Sequence, residues 1–514
     1  MVAAPSNPPA DQLLARVVEN LDRHLVLPLL DFLESRDKYS HEEVLKAKID
    51  LLAKTNMVTF VEGMQRELEG KQDGEKVQGE AEFRKREQEV VKSLNDLRAQ
   101  AEGIMDTISK PEVVSALRQD KQHNLTYLKE NHGVTLDQIA YLYKFGQFQY
   151  SIGHYASASD YLYHFRVLST DSALVLSAMW GKLAADILEG SWDAALEELG
   201  GLREFIDQRG SNGPGGPLVA LQQRTWWLHW SLFVYYNHPN GREALLESWL
   251  NQNYLNTLQT SAPWLLRYLV AAVVISRKST LRSSGTTSTS RSREAVRDVV
   301  RALGQEQYQY SDAVTEFLRK LYGEVDFEGA REEMAKAAGG VLEDDFFLEQ
   351  FKDEFVENAR FLVSEAYCKI HHRIDIGELS DRLGMTREEG ERWIVDLVRD
   401  ARLDAKIDLK QNIVQMNHAD TPVYQSVIEK SRGLLFRSQA IASAIEIRAA
   451  GGAVDRDQHR VGGRSGRGGR GGARGGGQSG RTTGGGRTAG GDDNKNSSSE
   501  GPAPAAAASS AIEA

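Results

Sequence analysis

Three features of the sequence predict a mainly α-helical protein in which a TPR-like solenoid of helical repeats runs into a winged helix, a C-terminal helix and a disordered tail. Apolar residues recur at helical spacing from Asp11 onward, as in Leu13, Leu14, Val17, Val18, Leu21 and Leu25, whereas alternating runs of strand length are scarce before residue 370. An aromatic residue, an alanine three later and a large apolar residue seven later recur as Tyr155-Ala158-Leu162, Trp192-Ala195-Leu199 and Phe327-Ala330-Met334. Beyond residue 344 the order of elements becomes helix, short strand, two helices and two strands.

The N-terminal stretch MVAAPSNPPADQLL has neither the charged and apolar regions of a secretory signal nor the Arg-rich pattern of a transit peptide. It reads as the start of a cytoplasmic protein, with a nuclear pool left open. Residues 1–129 form an N-terminal helical region. Within it Phe83, Val90, Leu97 and Ile104 mark one heptad position and Leu94, Ala101 and Ile108 the other, broken by Glu87. This pattern predicts a long helix with a narrow packing seam, laid on the chain's own helices or on a partner's.

Residues 130–340 carry the repeats. Gly153 and Gly190 precede the first two triplets, so GHYASASDYL and GSWDAALEEL align at an offset of 37 residues. Such a period fits helix pairs in which the small alanine lets two helices approach closely. Breaks are expected at 70–79, 208–217, 278–293 and Gly339-Gly340, where Gly, Pro, Ser and Thr interrupt the pattern. Trp226, Trp230 and Phe233 lie at helical spacing, which favours a buried face over a base-stacking platform.

The winged helix is expected over 341–420. RIDI reads as a short strand, GELSDRLGM and TREEGERWIVDLVRDARL as two helices, and AKIDLK and NIVQMN as the wing, with alternation at Ile407 and Leu409 and at Ile413 and Gln415. Thr386 and Glu389 have the spacing of a capping box. Charges on 386–403 are nearly balanced between Arg387, Arg392, Arg399, Arg402 and Glu388, Glu389, Glu391, Asp396, Asp400. Phosphate neutralisation needs a net positive face, so protein contact suits this element better than DNA. Trp393, Leu397, Ile407 and Ile413 are its candidate interface positions. In the last helix, 421–449, Val427, Leu434 and Ile441 recur every seven residues and Ile445 adds to their face, which suits a bundle with partner helices or a return onto its own domain.

The chain has 514 residues, is 41% hydrophobic and carries a net charge of −11. Charge is segregated: residues 451–514 hold 9 Lys and Arg against 6 Asp and Glu, leaving −14 for residues 1–450. A membrane-spanning helix needs about 20 apolar residues, and the richest run, Trp264 to Ile275, is interrupted by Arg267. Arg467, Arg470 and Arg474 each open an Arg-Gly-Gly in the tail, 450–514, which cannot bury a core. The arginines are candidates for RNA contact, with a solubilising linker as the other reading.

No catalytic or cofactor motif rises above background. Gly466, Gly468 and Gly471 match a dinucleotide-binding glycine pattern, but without the strand and helix that pattern requires. Cys368 is the only cysteine, excluding an internal disulfide and a CxxC pair, and reads as a buried structural thiol. His371-His372 lacks further ligands at metal spacing and reads as a helix end. The expectation is a protein that is not an enzyme and holds no metal or cofactor.

Helical repeats, a winged helix and a terminal helix in that order resemble the PCI module of scaffold subunits in the proteasome lid, the signalosome and translation initiation factor 3. Within that group the segments LDRHLVLPLLDFLE (21–34), KIDLLAKTNMVTF (48–60), YLYHFRVLS (161–169), LQQRTWWLHWSLFVYYNHPNGRE (221–243), ERWIVDLVRDARLDAKID (391–408) and VIEKSRGLLFRSQ (427–439) resemble the e-subunit family of eukaryotic translation initiation factor 3. The likeness extends over about residues 5–448 and puts the start of the PCI box near 221. It implies an assembly subunit that binds the other subunits of the factor, notably those with PCI and metalloprotease-like domains. It also implies a place in a complex that binds the small ribosomal subunit and promotes recruitment of mRNA and initiator methionyl-tRNA. In that reading Val427, Leu434, Ile441 and Ile445 join a bundle of terminal helices. The insertion at 279–293 and the Gly-Arg tail depart from the family pattern.

Overall fold

A computed structural model describes residues 16–449 apart from 37–38, 72–78, 109, 111–112, 114–120, 211–215, 283–285, 384–385, 401–403, 409–410 and 418–422. It divides into two units, Met1–Asp420 and Thr421–Ala514.

The N-terminal part of the first unit comprises α1 (Arg23–Ser35), α2 (His41–Leu52), α3 (Val58–Leu68), the long α4 (Glu80–Ile108) and α5 (Lys121–His132). Asp22 caps α1 by accepting from His24 N–H, and Ser40 and Glu43 form a reciprocal capping box on α2. The heptad seam of α4 lies against the chain's own α3 and the first repeat helix, with Ala101, Ile104 and Ile108 buried. The outer half of α4 is mostly exposed.

The repeats follow as α6 (Leu136–Ile152), α7 (Tyr155–Leu168), α8 (Ser172–Glu189), α9 (Trp192–Arg209), α10 (Gly216–Asn237), α11 (Gly241–Trp249) and α12 (Gln252–Ser261). Consecutive helices from α6 to α11 pack on one another, as a solenoid requires. The sequence triplets have a clear structural meaning: Tyr155, Trp192 and Phe327 are each the first residue of a helix. Three residues later Ala158, Ala195 and Ala330 are fully buried, so neighbouring backbones approach where a larger side chain would hold them apart. Gly153 (φ 99°) and Gly190 (φ 82°) end the preceding helices in the left-handed conformation, which glycine adopts without a Cβ clash.

Helix α10 is buried almost all round. Its aromatic residues are core, but the indole inside is Trp227, at 0% exposure, and Trp226 is 37% exposed. The i, i+4, i+7 spacing placed Trp226 on the buried face; in a helix packed on several sides, neighbours rather than one stripe decide burial. Also on α10, His229 is fully buried, its ring held between Thr225 O and the indole N–H of Trp264. Burial lowers the His229 pKa from 6.5 to about 4, and the Thr225 contact offsets this only in part. The folded state therefore keeps a neutral ring between those values while the unfolded chain takes up a proton. Stability is expected to fall as pH drops from about 6.5 towards 4, by up to about 3 kcal/mol from this group. Urea unfolding of wild type and His229→Asn across that range checks it; equal slopes for the two would refute the assignment.

Beyond α12 come α13 (Leu266–Arg282), α14 (Thr286–Glu306), α15 (Ala313–Arg319), α16 (Phe327–Lys336) and α17 (Lys352–Ile370). The expected break at 278–293 is instead mostly helix, since α13 runs to Arg282 and α14 starts at Thr286. Serine and threonine cost a helix only about 0.5 kcal/mol each relative to alanine, and the segment has no proline and one glycine. Gly339-Gly340 likewise falls within a π-helical turn, Ala337–Val341, that extends α16. Among the described residues no single helix is long and apolar enough to cross a membrane. The apolar run around α13 is explained by its position at the centre of the core, where α11, α14, α15 and α17 surround it.

Candidate assembly interface

The winged helix completes the first unit: β1 (Arg373–Asp375), α18 (Ile376–Leu383), α19 (Arg387–Asp400), β2 (Ala405–Asp408) and β3 (Ile413–Met416). The sheet is antiparallel in the order β1-β3-β2, with Ile374 and Ile407 both opposite Val414. Short-range chemistry sets each turn. Asp375 accepts from the N–H groups of Gly377 and Glu378 at the start of α18. Thr386 and Glu389 bond reciprocally at 3.1 and 3.4 Å, the capping box its spacing predicts. Asn412 takes a positive φ of 55° between the wing strands.

Two contacts anchor α17, the helix before this module, one to α13 and one to α19 of the module itself. Arg277 on α13 makes a buried ion pair with Glu365 on α17 at 2.9 Å, and the Trp393 indole N–H on α19 donates to Ser364 Oγ at 3.2 Å. The charge on Arg277, with that of Lys369, holds the Glu365 carboxyl below its ordinary range despite burial.

Gly390, which the sequence pattern alone did not single out, sets the crossing of α18 and α19: a Cβ there would lie 1.8 Å from Ser380 Oγ and 2.7 Å from its Cβ. Gly390→Ala is expected to destabilise the winged helix by about 1–3 kcal/mol through overpacking. Thermal unfolding checks this, and an unchanged melting temperature would contradict the close approach. The signal in the sequence was a glycine inside a helical pattern.

The candidate interface residues separate. Leu397 is 1% exposed, and Trp393 and Ile407 pack against the same core, so these three hold the module together rather than face outward. In β3 the inward residues are Val414 and Met416; Ile413 and Gln415 take the opposite face. Ile413 is thus the candidate that the sheet turns outward, across from Asp375 and Asp408. Leu409 lies outside the described residues. The described exposed charges of α19 are Glu388, Glu389 and Asp396 against Arg392 and Arg399, not a phosphate-binding face.

The second unit contains α20 (Val423–Ala449), and most of its described side chains lie open. Val427, Leu434, Ile441 and Ile445 are 55%, 63%, 61% and 61% exposed. At about 100° per residue they fall on one stripe. Tyr424, Ile428 and Leu435, also exposed, form a second row beside it, so the apolar arc spans roughly 140°. This is wider than the narrow seam the heptad spacing predicted. A continuous exposed apolar face of this size marks an interaction surface. Arg467, Arg470 and Arg474 lie outside the described residues.

Among the described residues no group of three His, Cys, Asp or Glu is placed to hold a metal ion. Burial pushes the Cys368 thiol up to about 12, far from a nucleophilic thiolate. His371 caps the end of α17 with its ring centroid 4.1 Å from that of Tyr367.

Stacked helix pairs running into a winged helix, with an apolar terminal helix beyond, define a PCI-type scaffold. Comparison with known proteins agrees: the family model described as "PCI domain" matches residues 338–418, and that described as "eIF3 subunit 6 N terminal domain" matches residues 12–149. Relatives include the E subunit of eukaryotic translation initiation factor 3 from Pyricularia oryzae, 47% identical over 84% of this chain and 96% of its own length. Those of Sclerotinia sclerotiorum (44% identical; 85% of this chain, 93% of the relative) and Aspergillus clavatus (46%; 84% and 92%) are similar over most of their length as well. The chain belongs to the E-subunit family of eukaryotic translation initiation factor 3.

Proposed function

We propose that this chain is a non-catalytic scaffold subunit of eukaryotic translation initiation factor 3, working in the cytoplasm. Its contribution is surface. The apolar arc of α20 packs with the terminal helices of sister PCI subunits, and the outer face of the β1-β3-β2 sheet, including Ile413, lies towards a neighbouring winged helix. The metalloprotease-like-domain subunits are further partners, and the assembled factor carries this chain to the small ribosomal subunit, where mRNA and initiator methionyl-tRNA are recruited. The observation that supports the reading most is the open apolar face of α20, which a protein acting alone would cover.

Affinity isolation of the full chain and of a chain ending at Asp420 tests the proposal, because that cut falls between the two compact units. The full chain is expected to bring down the other subunits and the shorter one to lose most of them. Equal recovery would refute the role of α20. A second reading, RNA contact through the tail, is favoured by Arg467, Arg470 and Arg474. Crosslinking the full chain and residues 1–449 to RNA separates it, since equal recovery removes the tail's role.

A further inference from the structure

On the first unit, α6, α8, α10 and the segment before α1 enclose a groove of about 620 Å³ that assembly through the winged helix and α20 does not use. Its walls are aromatic, with Tyr143, Phe148, Trp180 and Trp230 among them, and Gly181 and Ala184 leave room between them. Trp180 stands edge-on to Trp230 at 4.8 Å and to the exposed Trp226 at 6.2 Å. The indole N–H groups of Trp227, Trp230, Trp249, Trp264 and Trp393 all donate hydrogen bonds. Those of Trp180, Trp192 and Trp226 have none among the described residues; of these Trp180 lines the groove, with Trp226 next to it.

Charge narrows the ligand. The groove is lined by one cation, Lys144, and one anion, Asp22, whose carboxylate already accepts from the Tyr150 hydroxyl at 2.7 Å. A nucleic acid or a strongly charged peptide finds no complement here. Aromatic walls with an unused indole donor at Trp180 suit a neutral, extended, proline-bearing segment, whose rings stack on the indoles and whose carbonyls accept that N–H.

The chain itself supplies a segment of that chemistry. Residues 1–10, Met-Val-Ala-Ala-Pro-Ser-Asn-Pro-Pro-Ala, hold three prolines and no ionisable side chain. The described chain begins at Arg16, and its next turn supplies Asn20, whose carbonyl accepts from Trp230 at 3.0 Å. The fifteen residues before Arg16 can reach up to about 50 Å when extended, and tethering places them near the groove at an effective concentration of about millimolar. We propose that this groove is the docking site of the chain's own residues 1–10.

The test follows indole N–H resonances in the tryptophan-labelled full chain and in a chain lacking residues 1–10, with Trp180→Phe and Trp226→Phe identifying the two signals. The signals of Trp180 and Trp226 are expected to move on truncation. Adding a peptide of residues 1–10 should return them, whereas a peptide with serine at positions 5, 8 and 9 should not. Identical spectra of the full and truncated chains would overturn the proposal, as would shifts that depend on chain concentration, which indicate a second copy, or equal rescue by the serine peptide. The readout needs no other subunit, so its failure is distinct from failure of the scaffold role.

Discussion

Replacing Arg267 with methionine is expected to destabilise the first unit by about 3–5 kcal/mol, because it strands two buried carboxylates. Arg267 lies in α13 at 4% exposure, with its Nε 2.5 Å from Asp312 and an η nitrogen 3.2 Å from Asp345. Both acids have further duties: Asp312 accepts from Thr315 N–H to cap α15 and from the Tyr310 hydroxyl, and Asp345 accepts from Phe347 N–H. Burial raises both acids. At Asp312 the Arg267 charge and the hydrogen bonds outweigh it and hold the carboxyl below its ordinary value, whereas at Asp345 burial prevails and pushes the carboxyl up. Loss of the guanidinium leaves Asp312 charged and unpaired in the core or forces it to take up a proton. Urea unfolding followed by circular dichroism reads the effect, and a change under about 1 kcal/mol would show that the pair is dispensable.

The double substitution Leu434→Asp with Ile441→Asp is expected to weaken incorporation into the assembly by at least about 100-fold while leaving the isolated chain's melting temperature unchanged. The two side chains are 63% and 61% exposed, so neither supports the chain's own core. Central apolar contacts of an interface are each worth about 2 kcal/mol or more, and a carboxylate placed there adds the cost of burying a charge. Competition with wild-type chain for the other subunits measures the first effect and calorimetry the second. Full incorporation of the variant would dismiss the bundle role of α20, and a large fall in melting temperature would show that these residues fold back on the chain itself.

What could be read from the sequence was what neighbours along the chain determine. The repeat marked by Tyr155, Trp192 and Phe327, the Thr386–Glu389 capping box and the order of the winged-helix elements all follow from spacing within a few residues. What was missed depends on groups distant in sequence. Arg267 registered only as an interruption of an apolar run, because Asp312 and Asp345 lie 45 and 78 residues away. Gly390 matters through Ser380 on the neighbouring helix, and Trp226 and Trp227 exchanged places because α10 has neighbours on several sides. In the wing, an alternating pattern fixes two faces without saying which is inward, so Ile413 and Val414 were distinguishable only once the sheet lay on the core. The stripe on α20 was legible in part: the period of seven found Val427, Leu434 and Ile441, while the second row at Ile428 and Leu435 became evident from exposure.

The central claim, that this chain is an assembly subunit of initiation factor 3, is tested most directly by the native mass of the intact complex isolated through it. The mass is expected to account for this chain together with the other subunits of that factor, and dissociation in the gas phase should release it as a 57.1 kDa component. Recovery of the chain alone, as a homo-oligomer, or with subunits of the proteasome lid or signalosome would contradict the account.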